Sequence, residues 1–297
     1  ISVPSGTFLF MGVRYTNRAI TTEQQIDILK ERGLLIDDVE RAVKALDIIS
    51  YFRLAGYWRH FEADHTTHQF REGCRFADII DLYSFDKQLR ALLFTAIQTI
   101  EVWFMDENFA TNEARFATNL AVIRKEVERS HDDFITEHFR KYNEPELPPV
   151  WKTLEVISMG TLSKLYSNFS NATAKHAVAR EFGLNHHKFF RSWLECLAVL
   201  RNCCAHHSRL SNRVFPVKPK MPERMPNTWI ADFSFREQTL YPQLCCVVYW
   251  LNSIVLENTF ITDFKQLLIS HPSVKTRLLG FPRNLSLIHI SEPTRPY

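Results

Sequence analysis

The sequence predicts an all-α fold, and three observations carry that expectation. Only 8 glycines stand against 23 phenylalanines in 297 residues, so the residue that hairpins and phosphate-cradling loops need is scarce. Apolar residues make up 45% of the chain, enough for a substantial core. From Phe76 to about Met105, Ile79, Leu82, Leu89, Leu93, Ile97, Ile100 and Phe104 recur at three- and four-residue steps with no proline between them, the pattern of one long central helix.

The other elements follow in chain order. Thr22 and Gln25 have capping-box spacing, so a first helix is expected from Thr22 to Gly33 with Ile26 and Leu29 on it. A second begins near Asp37 or Asp38, sets Val39, Val43 and Leu46 on one stripe, and closes a helical hairpin. The segment Tyr51 to Phe61 mixes aromatics with arginines, so Tyr57 could stack on a base while Arg53 and Arg59 hold phosphates. Packing of these aromatics into the core is the stronger reading. Residues 64–74 are polar, include Gly73, and read as a loop or short hairpin. On the long helix, i,i+4 pairing explains Asp86 with Arg90 without any function, and Glu101 stays open. Residues 118–142 look helical, and Pro145, Pro148 and Pro149 then break the pattern. Helices resume at Val150–Met159, Leu162–Phe169, Thr173–Phe182 and Phe189–Arg201. The stretch Pro216 to Pro222 is an extended basic surface loop bearing Lys218 and Lys220, followed by a helix from about Tyr241 to Asn258.

Residues 1–75 are accordingly expected to form an N-terminal helical extension and residues 76–285 a single helical domain. Residues 286–297 follow no pattern and resemble translated adapter sequence, a non-native tail. A formal charge of +3 excludes a uniformly basic coat but leaves room for a local basic groove. Six cysteines, with two adjacent pairs and no C-x-x-C, suit neither a disulfide framework nor a zinc ribbon, which favours a reducing cytoplasm. No apolar run reaches the roughly twenty residues of a membrane span, so no membrane partner is expected.

The chemistry concentrates in Arg201-Asn202-Cys203-Cys204-Ala205-His206-His207-Ser208-Arg209-Leu210-Ser211-Asn212-Arg213. Three arginines, two histidines and two asparagines fall within thirteen positions, directly after an apolar helix carrying Trp193, Leu194, Leu197 and Leu200. Such polarity at the end of a buried helix is costly unless it faces a cavity or an interface. On a regular helix Asn202 and His206 share a face, so Asn202 can orient the imidazole, while Arg201 stands about 140° away from His206. Histidine exchanges protons near neutrality and arginine's fork matches phosphate, which suits phosphodiester cleavage. RNA supplies its own nucleophile: His206 takes the 2′-hydroxyl proton and Arg201 stabilises the charge that develops at phosphorus. One histidine cannot readily act on both sides of that phosphorus, so a two-fold dimer bringing two motifs together is expected. Cys203, Cys204, His206 and His207 are a poor metal set, because successive helical residues point about 100° apart. No cofactor is expected.

The chain resembles the AbiD/AbiF-type abortive infection family of bacteria, within the HEPN superfamily of helical nucleases. The resemblance is carried by Arg32-Gly33-Leu34, Tyr51 to Tyr57, Ile80 to Arg90, Ile100-Glu101, Trp151 to Leu162 with Ser163, and Arg201-Asn202, Ala205-His206-His207, Arg209-Leu210 and Asn212-Arg213. It runs from about residue 10 to 280. It implies a HEPN-like helical bundle with an N-terminal helical extension, a homodimer, and Arg201 and His206 as the catalytic pair. Asn202, His207, Arg209, Asn212 and Arg213 would support them. The family usually has an aromatic where this chain has Ser211. The resemblance also implies defence against phage by RNA cleavage, restrained toxin–antitoxin fashion by a noncoding RNA or a protein antitoxin. Arg53, Arg59, Lys218 and Lys220 would serve as phosphate contacts. A non-catalytic RNA-binding module and a pure interaction protein are the alternatives.

Overall fold

A computed structural model describes residues 20–104, 113–142, 147–168, 172–222, 237–254 and 258–282. Among these, twelve α-helices and one two-stranded sheet are present, so the fold is all-α. The chain divides into two compact units, Ile1–Ile79 and Ile80–Tyr297.

In the first unit, α1 (Thr22–Glu31) and α2 (Val39–Ile49) form a helical hairpin, and α3 (Tyr51–Trp58) follows at once. The capping box lies one residue earlier than its spacing suggests. Thr21 Oγ accepts the Gln24 amide at 3.3 Å and Gln24 Oε1 accepts the Thr21 amide at 2.9 Å. On α2 the buried stripe is Ala42 and Leu46, whereas Val39 is 42% exposed. Asp38, as N-cap, sets this phase by accepting the Arg41 amide at 2.9 Å. The hairpin of β1 (Glu62–Asp64) and β2 (Gln69–Phe70) is antiparallel. Tyr57 is 2% exposed among Leu54, Trp58 and the other core residues. Its ring therefore has no open face for a base, and the base-stacking expectation for Tyr57 gives way to packing. Arg53 and Arg59 are exposed.

Helix α4 (Phe76–Phe104) starts in the last residues of the first unit and continues through the second. The second unit then contains α5 (Glu113–Arg129), α6 (Asp133–Lys141), α7 (Val150–Val156), α8 (Met159–Asn168), α9 (Ala172–Glu181), α10 (His187–Ala205), α11 (Leu240–Ile254) and α12 (Phe260–Ser270). The span expected as one helix over 118–142 is two. Ser130 and Asp132 hydrogen bond to each other between them, offering the backbone an alternative to helix. Helix α12 lies outside the expected elements; it buries Phe260, Ile261, Phe264, Leu267 and Leu268.

The hub of this unit is α10 rather than α4. It packs against α8, α9 and α11, and its Trp193 is fully buried beside Trp250 of α11, with ring centroids 5.7 Å apart. A helix buried on that many sides is fixed along its length, so groups at its two ends are held by the core rather than by loops.

Candidate active site

The last turn of α10 carries Arg201 and Asn202, and its termination determines how the following residues are displayed. His206 is the C-cap and His207 adopts the left-handed conformation with φ 53°. The Ser208 amide donates to Cys203 O at 2.8 Å and the His207 amide to Cys204 O at 3.1 Å, the two bonds of a Schellman ending. Cys203 and Cys204 are buried while His206 and His207 are exposed, so these four side chains share no common centre. The link between Asn202 and His206 runs through the backbone, the His206 amide donating to Asn202 O at 2.9 Å.

Arg201 is half-buried, its guanidinium 5.8 Å from the centroid of Phe94, and it lines a cleft of about 530 Å³ with Glu126, Arg129, His131 and Glu155.

The loop after the helix is clamped from α4. Asp86, at 0% exposure, accepts the Leu210 amide at 2.7 Å and the Ser211 amide at 3.0 Å. Arg90 donates to Ser208 O at 3.3 Å and faces Asp86 at 3.4 Å. Burial raises the Asp86 carboxyl above its ordinary range, against the pull of the two amides and Arg90. Pairing of Asp86 with Arg90 is thus real but not the whole of their role, because both also reach across to the motif loop. A sequence signal for this exists: Asp86 falls on the same stripe as Leu82, Leu89 and Leu93, where a charge requires partners.

Arg209, Asn212 and Arg213 brace the turn among themselves. Arg209 donates to Asn212 O at 3.4 Å, Arg213 donates to Arg209 O at 3.3 Å, and the Arg213 guanidinium lies 5.7 Å from the Phe215 centroid. Ser211 is fully buried. Glu101 belongs to α4, but its side chain is outside the described residues, as are residues 286–297.

The basic loop sits towards the other end of the same helix. Trp193 Nε1 donates to Lys220 O at 2.8 Å, and Ser192 Oγ accepts the Lys220 amide at 2.9 Å. Lys218 and Lys220 line a cleft of about 350 Å³ together with Lys175, His187, Lys188, Arg191 and Glu195. Lys218 also forms an ion pair with Glu237. Lys188 and Arg201 are separated along α10 by roughly 20 Å of helical rise. Arg53 and Arg59 belong to the first unit, so the five positions expected to touch RNA do not form one patch within either unit.

Among the described residues, one group of metal-ligating side chains lies close enough to share an ion: His176, His186 and His187. No described helix is long and apolar enough to cross a membrane.

No curated protein and no solved structure matches this chain significantly. Residues 44–212 match the family model described as Abi-like protein. The match takes in the second half of α2, all of α3 through α10, the clamp residues Asp86 and Arg90, and the motif through Asn212. With more than half its length inside that model, the chain belongs to the Abi-like protein family, a family of the abortive-infection type.

Proposed function

We propose that this protein is a metal-independent endoribonuclease of bacterial phage defence, working in the cytoplasm as a homodimer with Arg201 and His206 as its catalytic pair. The observation that carries the reading is the end of α10. Arg201, in the last turn, lines a cleft, His206 is exposed at the helix cap, and the backbone between and beyond them is fixed by Schellman bonds and by Asp86 and Arg90. Catalysis by positioning requires such rigidity.

In the proposed reaction His206 takes the proton from a ribose 2′-hydroxyl, and the 2′-oxygen bonds to the adjacent phosphorus. Arg201 stabilises the added negative charge. The P–O5′ bond breaks, and the leaving oxygen takes a proton from the protonated His206 of a second copy. The products are a 2′,3′-cyclic phosphate and a 5′-hydroxyl. Asn202, His207, Arg209, Asn212 and Arg213 shape the turn. Arg53, Arg59, Lys218 and Lys220 contact phosphates of the substrate or of a restraining RNA.

The test is incubation of the purified chain with end-labelled RNA in excess EDTA, with mapping of the product ends. Cyclic-phosphate ends from wild type, lost in both Arg201→Ala and His206→Ala, are expected. Intact RNA with wild type, or the same cleavage by either variant, would overturn the reading. The basic cleft favours a second reading, a non-catalytic RNA-binding module; salt-sensitive binding of RNA that stays whole would support it.

A further inference from the structure

Three imidazoles meet where the middle of α9 comes beside the start of α10. The ring centroids of His176, His186 and His187 lie 4.7, 4.6 and 4.5 Å apart pairwise, and all three are half-buried. We infer that His176, His186 and His187 bind a single transition-metal ion, zinc foremost, as a clasp between α9 and α10.

The distances favour this. A tetrahedral zinc with Zn–N bonds near 2.0–2.1 Å places its ligand nitrogens about 3.3 Å from one another. His187 Nδ1 and His176 Nε2 are already 3.2 Å apart, and one nitrogen from each of the three rings falls within 4.8 Å of the others. One edge of the tetrahedron is therefore formed, and a shift of about 1.5 Å at His186 closes the rest. His186 Nδ1 now accepts the Lys188 amide at 3.0 Å, a bond that a metal on Nδ1 would replace and a metal on Nε2 would leave in place. Three neutral nitrogens suit zinc, copper or nickel, and exclude magnesium and calcium, which take oxygen ligands.

The surroundings are basic. Lys175, Lys188 and Arg191 face the cluster, so the fourth position would hold an anion such as hydroxide or phosphate rather than a further cationic group. The competing account is a hydrogen bond between His176 and His187 with no ion. The clasp is independent of the proposed catalytic pair, because the 19 residues of α10 put His187 and His206 about 28 Å apart.

The test uses the tag-free full-length chain, stripped with chelator and titrated with Zn²⁺ by calorimetry and with Co²⁺ by absorption spectroscopy. One ion per chain is expected, with visible d–d bands of low-coordinate cobalt, no thiolate charge-transfer band, and a Tm raised by several degrees with zinc. His176→Gln and His187→Gln should each weaken binding at least roughly tenfold, as loss of a ligand must exceed loss of an outer-shell partner. No saturable binding by wild type, or unchanged binding in both variants, overturns the clasp. So does a thiolate band, which would assign the ion to the cysteines. The wild-type cobalt spectrum decides the matter even if a variant fails to fold.

Discussion

Asp86 has no water to turn to, and its carboxylate holds two amides of the loop that displays the motif. Asp86→Ala leaves the Leu210 and Ser211 amides and the Arg90 charge without their acceptor. We expect a loss of about 3–5 kcal/mol, seen as a lower denaturation midpoint with an unchanged slope. Asp86→Asn keeps one oxygen and should lose less. RNA cleavage by Asp86→Asn should fall even at temperatures where it is fully folded, because the loop beyond His206 loses an anchor. The motif itself was legible in the sequence, since its polar groups fall together within thirteen positions. For Asp86 the sequence carried only the signal of a charge on an apolar stripe, because its partners stand 124 and 125 positions away and the nearer Arg90 offered a sufficient local explanation. Tyr57 follows the stronger of its two readings, core packing, although the same ring that fills a core can stack on a base and pattern alone does not separate the two.

Helices α9 and α10 end in the same way with different residues. After α9 the left-handed position is Gly183, φ 67°, with the Leu184 amide on Ala179 O at 2.8 Å. After α10 it is His207, a residue that pays a steric penalty there. His207→Gly should stabilise the fold by on the order of 1 kcal/mol, read as a higher thermal midpoint. Gly183→Ala should do the reverse. A Cβ there would come within 2.6 Å of Tyr249 Oη, which donates to Gly183 O at 2.7 Å, so a loss of at least roughly 1–2 kcal/mol is expected by chemical denaturation. Helices with long periodic stretches, such as α4 and α10, were legible because a buried stripe repeats many times. The break between α5 and α6 was not, because it depends on two side chains bonding locally at Ser130 and Asp132. The capping box of α1 slipped by one residue because Thr21-Thr22 and Gln24-Gln25 give the same spacing twice.

At the scale of the molecule, the proposed reaction needs two copies of the motif and therefore couples activity to assembly. Cleavage per chain should rise with protein concentration and level off where sedimentation shows the dimer complete; activity per chain independent of concentration in a protein that sediments as a monomer would contradict it. The all-α class was legible from the scarcity of glycine and the periodicity. The choice of α10 as hub was not, because a buried stripe marks a face for packing without saying which or how many helices cover it. The cleft at the start of α10 gathers Lys175, Lys188, Arg191, Lys218 and Lys220 against Glu195 and the Glu237 partner of Lys218. Those cations crowd the helix end that already carries the positive pole of its macrodipole. In dilute buffer, with a screening length of about 30 Å at 0.01 M salt, they repel one another almost unshielded. Ionic strength thus becomes a tuning knob on the protein's own durability.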